Sequence, residues 1–278
     1  LAISNELFGF NNQKLMLKLN DRGREVTALQ ELLRRNGYEV AVTGTFDAAT
    51  DQVVRRFQRD HKLTVDGIVG NKTMACLRLI DSLMASVRLT EADYVRAAAA
   101  LNVPVAAIKA VKEVETGDTP GFVALGKPAI LFEGHVFWSQ LKAAGISPMA
   151  HKAGNADILY SKWTKAHYKG GLEEYERLDR ARKIHETAAL CSASWGLFQI
   201  MGFNYEVCKC QSVKEFVEMM STTEGAQLDL FVLLLKGKGW DKYLRALDWA
   251  GFARRYNGPG YAKNKYDEKL RKAYLKYR

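Results

Sequence analysis

The chain has 278 residues, 47% of them hydrophobic, which suits two domains or one large one and excludes a disordered chain. No apolar run approaches the roughly 18 residues a membrane span needs, and "FVLLLKG" at 231–237 is far too short. The net charge of +10 favours an anionic partner, whether nucleic acid, membrane surface or acidic wall polymer, without choosing among them.

The N-terminal "LAISNELFGFNNQKLMLKLN" lacks the basic start and apolar middle of a secretory signal. "GREVTALQELLRRNGY" then reads as an amphipathic helix with Val26, Leu29, Leu32 and Leu33 on its stripe and Gly37 as its stop. "TGTFDAATDQVVRRF" (43–57) aligns with "DGIVGNKTMACLRLI" (66–80) at a constant offset of 23 residues. In each copy a glycine turn is followed by an apolar residue and then a helix with an apolar face. Three short helices make a small bundle whose visible product is a surface, with no chemistry-bearing cluster.

The motifs "V-x-x-L-Q-x-x-L", "G-x-F-D-x-x-T", "V-x-x-F-Q" and "V-D-G-I-V-G-x-x-T" resemble the peptidoglycan-binding domain that accompanies many wall-degrading enzymes. The resemblance covers roughly residues 19–80 and implies a three-helix module that tethers a partner domain to the cell wall. The expected division is 1–83 for this module and 84–278 for a second domain. The stretch 81–95 has no Pro/Gly-rich character, so the linker is expected to be short or partly helical.

Thr90 before Glu91 and Asp93 reads as a helix N-cap with acids in the first turn, and that helix stops near Asn102. Pro104 opens the next one, which runs through "AAIKAVKEVETGDTPGF". Glu113 falls on its polar side with Lys109. Glu115 sits four residues after Val111, on the stripe that a helix turns towards the core. A carboxylate there is a rim residue paired with a cation, a metal ligand, or a general acid kept protonated. No histidine lies at the spacing a metal site would need. Burial and the negative end of the helix both disfavour the charged form. A glutamate tuned upward is what protonating a glycosidic oxygen requires. The remaining chain is expected to be mostly helical, most clearly over "KGGLEEYERLDRARKIHETAAL" (169–190).

"E-T-G" at 115–117 is similar to the E-S-G of lysozyme-like lytic enzymes. With "PAILFEGHVFWSQL" (128–141), "SASWGLFQIMGFNY" (192–205) and "RRYNGPGY" (254–261), it resembles the N-acetylmuramidase domain of modular phage endolysins over roughly residues 90–278. The implied fold is mainly α: a peptidoglycan-binding bundle followed by a lysozyme-like, mostly helical catalytic domain. The implied reaction cleaves the β-1,4 bond between N-acetylmuramic acid and N-acetylglucosamine, with lysis of the cell. Glu115 matches the catalytic acid, Gln199 the cleft-lining segment, and Tyr256 and Asn257 the Y-N-G motif. Thr116 stands where Ser is commoner and keeps the hydroxyl.

Those segments also make sense for sugar binding. Trp195, Phe198 and Tyr205 offer flat faces to pyranose rings or pack in the core. Gln199 and Asn257 offer amide donors and acceptors. Glu133 is either the second carboxylate of a two-acid mechanism or a structural partner of a cation; the structural role is favoured.

Competing readings are weaker. "HKAGNAD" (151–157) approaches a zinc-peptidase pattern, but Met149 stands where Ser should, Asp157 falls one residue early, and His167 and His185 are isolated. Cys76, Cys191, Cys208 and Cys210 read as free buried thiols rather than a zinc site or disulfide framework. A transglycosylase acting on the same bond would release 1,6-anhydro ends, and a wall-anchoring protein would need no acid at all. No cofactor or metal is expected, and nucleic acid has only net charge in its favour. A monomer is expected, with peptidoglycan as its partner. The basic "AKNKYDEKLRKAYLKYR" (262–278) fits either a solvated face or a helix docking on anionic outer membrane. The resemblance places the protein in the host cytoplasm at synthesis and at the periplasmic wall after the membrane is breached.

Overall fold

A computed structural model describes residues 16–117 and 119–278. The stretch read for a targeting signal lies mostly outside them. The chain divides into two units, one up to Ser86 and one from Val87. The third helix of the first unit runs on to Ser86, past the division expected after residue 83.

The first unit is a three-helix bundle: α1 (Arg24–Arg35), α2 (Ala48–Asp60) and α3 (Asn71–Ser86). Val26, Leu29, Leu32 and Leu33 turn inward as the 3.6-residue period requires, and they meet Phe46, Val54, Phe57, Val69 and Leu77. The internal repeat has a structural counterpart. Gln30 of α1 and Gln58 of α2 are buried, and each folds its amide into the glycine turn that follows its helix. Gln30 Oε1 accepts from the Thr43 and Gly44 N–H groups, and Gln58 Oε1 accepts from those of Asp66 and Gly67. The Gln30 amide donates to Thr50 and that of Gln58 to Thr73. Both turns carry their glycine at positive φ, where a side chain would be strained.

The second unit begins with a reciprocal cap. Thr90 Oγ1 accepts from the Asp93 N–H while the Asp93 carboxylate accepts from that of Thr90, opening α4 (Glu91–Leu101). Asn102 ends α4 in the left-handed conformation, and α5 (Val105–Thr116) follows Pro104. Ala107, Ile108 and Val111 bury its inner face. A hairpin of β1 (Phe122–Ala124) and β2 (Lys127–Pro128) leads to β3 (Ile130–Phe132) and α6 (Gly134–Ala143). After a long irregular stretch come α7 (Glu173–Ile184) and α8 (Glu186–Cys191), then β4 (Ala193–Trp195) and β5 (Ile200–Met201). The three short strands pair antiparallel in the order β3-β4-β5.

The helix expected over 169–190 is two helices. His185 is extended, and its Nδ1 accepts from the Ala188 N–H, so the side chain caps α8 where α7 stops. Behind β3 lies a buried ion pair. Glu174 Oε2 accepts from the Phe132 N–H at 3.0 Å and from Arg177 at 2.8 Å, while Arg177 donates to the Phe132 carbonyl.

The chain then forms α9 (Val213–Met220), α10 (Glu224–Gly237), α11 (Asp241–Arg245), α12 (Trp249–Tyr256) and α13 (Tyr266–Tyr277). Helix α10 is apolar nearly all round, as a helix enclosed by its neighbours should be. Its buried Gln227 accepts from the Leu197 N–H and donates to the Gly121 and Met220 carbonyls, tying the β4–β5 turn to the core. Helix α13 packs along α5. Lys276 Nζ and the Tyr277 hydroxyl each lie 2.6 Å from Glu113 Oε2. Glu113 therefore lies on the polar side, as expected, and is paired there.

Candidate active site

Glu115 occupies the last turn of α5, and Gly117 ends the helix at positive φ. One carboxylate oxygen, Oε2, accepts from Asn257 Nδ2 at 2.9 Å. The other, Oε1, is buried without a partner among the described residues, as is Asn257 Oδ1. Burial pushes the carboxyl up to about 7, and the Asn257 hydrogen bond opposes it. Near neutrality the group can both give and take a proton.

Glu115 lines a cleft of about 460 Å³. Its floor is the turn between β4 and β5, where Phe198, Gln199, Ile200 and Met201 line the cavity. Phe198 is nearly buried and stacks on Phe231 at 4.2 Å, so it supports the floor from below. Gln199 holds a left-handed backbone conformation that a non-glycine residue rarely adopts. Its side chain explains how. Oε1 accepts from Ser194 at 2.7 Å, and Nε2 donates to the Gly196 and Ala129 carbonyls. The Gln199 amide thus pins the turn, and its polar atoms are largely engaged by the protein.

Tyr256 closes one side. Its hydroxyl donates to the Phe198 carbonyl at 2.8 Å, and its ring stacks with Phe252. Burial, and then the charge of Glu115, raise the phenol. Tyr256 is the last residue of α12 and Asn257 caps it, so this helix delivers both Y-N-G side chains to Glu115.

The adjoining wall comes from the end of α10, where Trp240 meets the Tyr256 ring edge to face. Trp240 N–H donates to the Leu235 carbonyl at 2.8 Å and Gly239 N–H to that of Lys236 at 3.0 Å, with Gly239 at positive φ. This paired reversal terminates the helix and places Lys238 and Trp240 on the cleft. Leu234, Asn204 and Phe203, the last 46% exposed, complete the lining. Glu115 is the one carboxylate among these lining residues.

Three sequence-predicted residues lie elsewhere. Trp195 is 2% exposed, and its indole N–H donates to the Leu190 carbonyl, so it is core and offers no ring to a sugar. Tyr205 is half-buried and donates to Glu206 outside the cleft lining; Phe203, two residues earlier, holds the position expected of it. Glu133 follows β3, and both its oxygens accept from the Tyr168 hydroxyl at 2.8 Å, with His135 Nδ1 3.2 Å from Oε2. It does not line the Glu115 cleft, which favours the structural role. Sequence reasoning missed Phe203, Asn204, Lys238 and Trp240. The glycine before Trp240 was the available signal, since a turn after an apolar helix re-aims whatever follows it.

The other chemistry-bearing motifs are occupied by the fold. Asp157 pairs with Arg180 at 2.7 Å, and the Cys208 thiol donates to the Leu230 carbonyl at 3.6 Å.

Comparison with known proteins shows the family. The N-acetylmuramidase family model covers residues 104–278. The chain belongs to the N-acetylmuramidase family. A peptidoglycan-binding domain model matches residues 22–77 of this muramidase, so the helical bundle is its wall-binding module. The crystal structure of a Burkholderia AP3 phage endolysin is 39% identical, with a TM-score of 0.64, and the match covers 95% of this chain and 99% of that one. The muramidase is thus a modular glycoside hydrolase acting on peptidoglycan, with the binding module ahead of the catalytic domain.

Proposed function

We propose that this muramidase is an endolysin that cleaves the β-1,4 bond between N-acetylmuramic acid and N-acetylglucosamine, with Glu115 as general acid. The observation that carries this reading is the state of Glu115: a carboxyl held by Asn257, raised to about 7 by burial, and lining a cleft of about 460 Å³. Below about pH 7 it carries the proton that the leaving oxygen needs. Once the bond breaks, the resulting carboxylate can take a proton from the incoming nucleophile.

A second reading has one observation in its favour. Among the described residues Glu115 is the one acid lining the cleft, so that lining offers no second carboxylate as nucleophile, and water or a hydroxyl of the substrate can take that part. Attack by the muramoyl 6-hydroxyl would give a 1,6-anhydro end, and attack by water a reducing end. Mass analysis of muropeptides released from purified sacculi separates the two.

The test of the main reading is Glu115→Gln, which keeps the shape and the bond to Asn257 but removes the transferable proton. Clearance of outer-membrane-stripped cells should fall by about two to four orders of magnitude, with circular dichroism and sacculus binding unchanged. A folded variant that retains more than about a tenth of the wild-type rate would sink the assignment.

A further inference from the structure

Peptidoglycan differs from other β-1,4 glycans in one chemical respect. Alternate sugars carry a lactyl ether from which a short peptide hangs, and that peptide bears free carboxylates. The Glu115 cleft is long on apolar surface and short on charge. Phe203, Met201 and Trp240 offer apolar surface to sugar rings and acetyl methyls, and among the described residues Lys238 is the one cation lining it. With Glu115 protonated, Lys238 is the one charged side chain among the described lining residues.

The placement of Lys238 is fixed by its backbone. Gly237 lies so close to Val207 that a Cβ would collide with it, which locks the end of α10 against the neighbouring loop. The paired reversal through Gly239 and Trp240 then holds Lys238 at the helix terminus. Among the described residues its ammonium has no acceptor. Lysine at a helix C-terminus has an ordinary explanation, the partial negative charge of the last carbonyls. Lys236, two residues earlier and equally exposed, meets that need as well, yet it lies outside the cleft lining. The difference between the two lysines is therefore what they face.

The geometry points to Lys238 as a specificity-determining residue that receives a carboxylate of the stem peptide, so that the enzyme prefers peptide-bearing glycan to bare glycan. This rests on the Glu115 cleft being the site of cleavage. The unpaired ammonium gains a charge-assisted hydrogen bond only when the peptide is present, so its contribution shows as a difference between substrates.

The experiment measures reducing or anhydro ends released from two probes: intact sacculi, and glycan strands stripped of their peptides by an amidase, with the lactyl carboxylates that this hydrolysis leaves capped as methylamides. Lys238→Gln should raise KM about tenfold on the peptide-bearing probe, as expected for one charge-assisted contact, and much less on the stripped strands. Lys238→Arg should restore the preference, and Lys236→Gln should match wild type on both. Equal losses on both probes would overturn the proposal in favour of a helix-end role. Lys236→Gln behaving like Lys238→Gln would overturn it in favour of general attraction between a basic protein and an anionic wall. A failure of the cleft reading is distinguishable, because Glu115→Gln would then cleave both probes like wild type, and the proposal would fall with it.

Discussion

Asn257 Nδ2 donates to Glu115 Oε2 at 2.9 Å, and this is the one hydrogen bond the carboxyl makes among the described residues. The bond stabilises the charged form and opposes the larger effect of burial. Replacing Asn257 with Leu should therefore raise the Glu115 pKa further and move the alkaline limb of the kcat/KM profile to higher pH, while lowering the maximal rate through lost orientation. A rate profile that drops without shifting would show that Asn257 holds substrate rather than the acid.

The same raised pKa makes stability depend on pH. Glu115 binds its proton more tightly folded than unfolded, so its contribution is fully present below about pH 4.5 and is lost as pH rises through about 7. Compared with Glu115→Gln, the wild-type catalytic domain should lose on the order of 3 kcal/mol across that window. Urea midpoints of both proteins, taken at intervals from pH 4 to pH 8, give the difference directly. Parallel curves would mean the carboxyl is solvated in the folded state.

Glu113, two residues from the acid, is expected to matter for stability and not for chemistry. Lys276 and Tyr277 both reach its Oε2, and they draw its pKa below the ordinary carboxylate value. The lysine of this pair is fully exposed, so a double-mutant cycle between Glu113→Gln and Lys276→Met should give only a small coupling that shrinks in high salt. Neutralising Lys276 to test membrane docking by α13 would disturb this pair as well. Lys269, Arg271 and Lys272 are the cleaner substitutions for that purpose.

Gln58 offers a test of the division into two units. Its amide satisfies the turn N–H groups of Asp66 and Gly67 and donates to Asp66 and the Ile68 carbonyl, all inside the wall-binding module. Gln58→Leu leaves those groups without their partner and should cost that module about 2–4 kcal/mol. Calorimetry should show one transition falling and the catalytic transition unmoved, with weaker sacculus binding at the temperature where the module melts. A common shift of both transitions would show that the two cores unfold together.

What the sequence made legible follows from periodicity. The 3.6-residue stripe of α1 and the displaced carboxylate of α5 could both be read because long helices repeat their pattern several times. The strands β3, β4 and β5 are two or three residues long, too short to show alternation, so nothing in "SASWGLFQI" said which aromatic faces inward. Trp195 reads equally as a sugar platform or as core for that reason, and it is core. His185 sits inside an unbroken helical pattern, and the break comes from its ring capping the next helix. Gln199 reads as a ligand for sugar; its left-handed backbone, invisible in the sequence, goes with an amide committed to the protein.

The acid and the amide that holds it are separated by 142 positions in the chain, and α5 finds its packing partner in α13, the last helix of the fold. Contacts of such long range close late, because the loop entropy is lost before the contact repays it. During synthesis the helix bearing Glu115 emerges early, but neither Asn257 nor the α13 face exists until nearly the whole domain has been made. A nascent or prematurely terminated chain therefore carries a wall-binding module and a carboxyl without its amide partner, and the bond between the two residues forms only once the domain closes on itself.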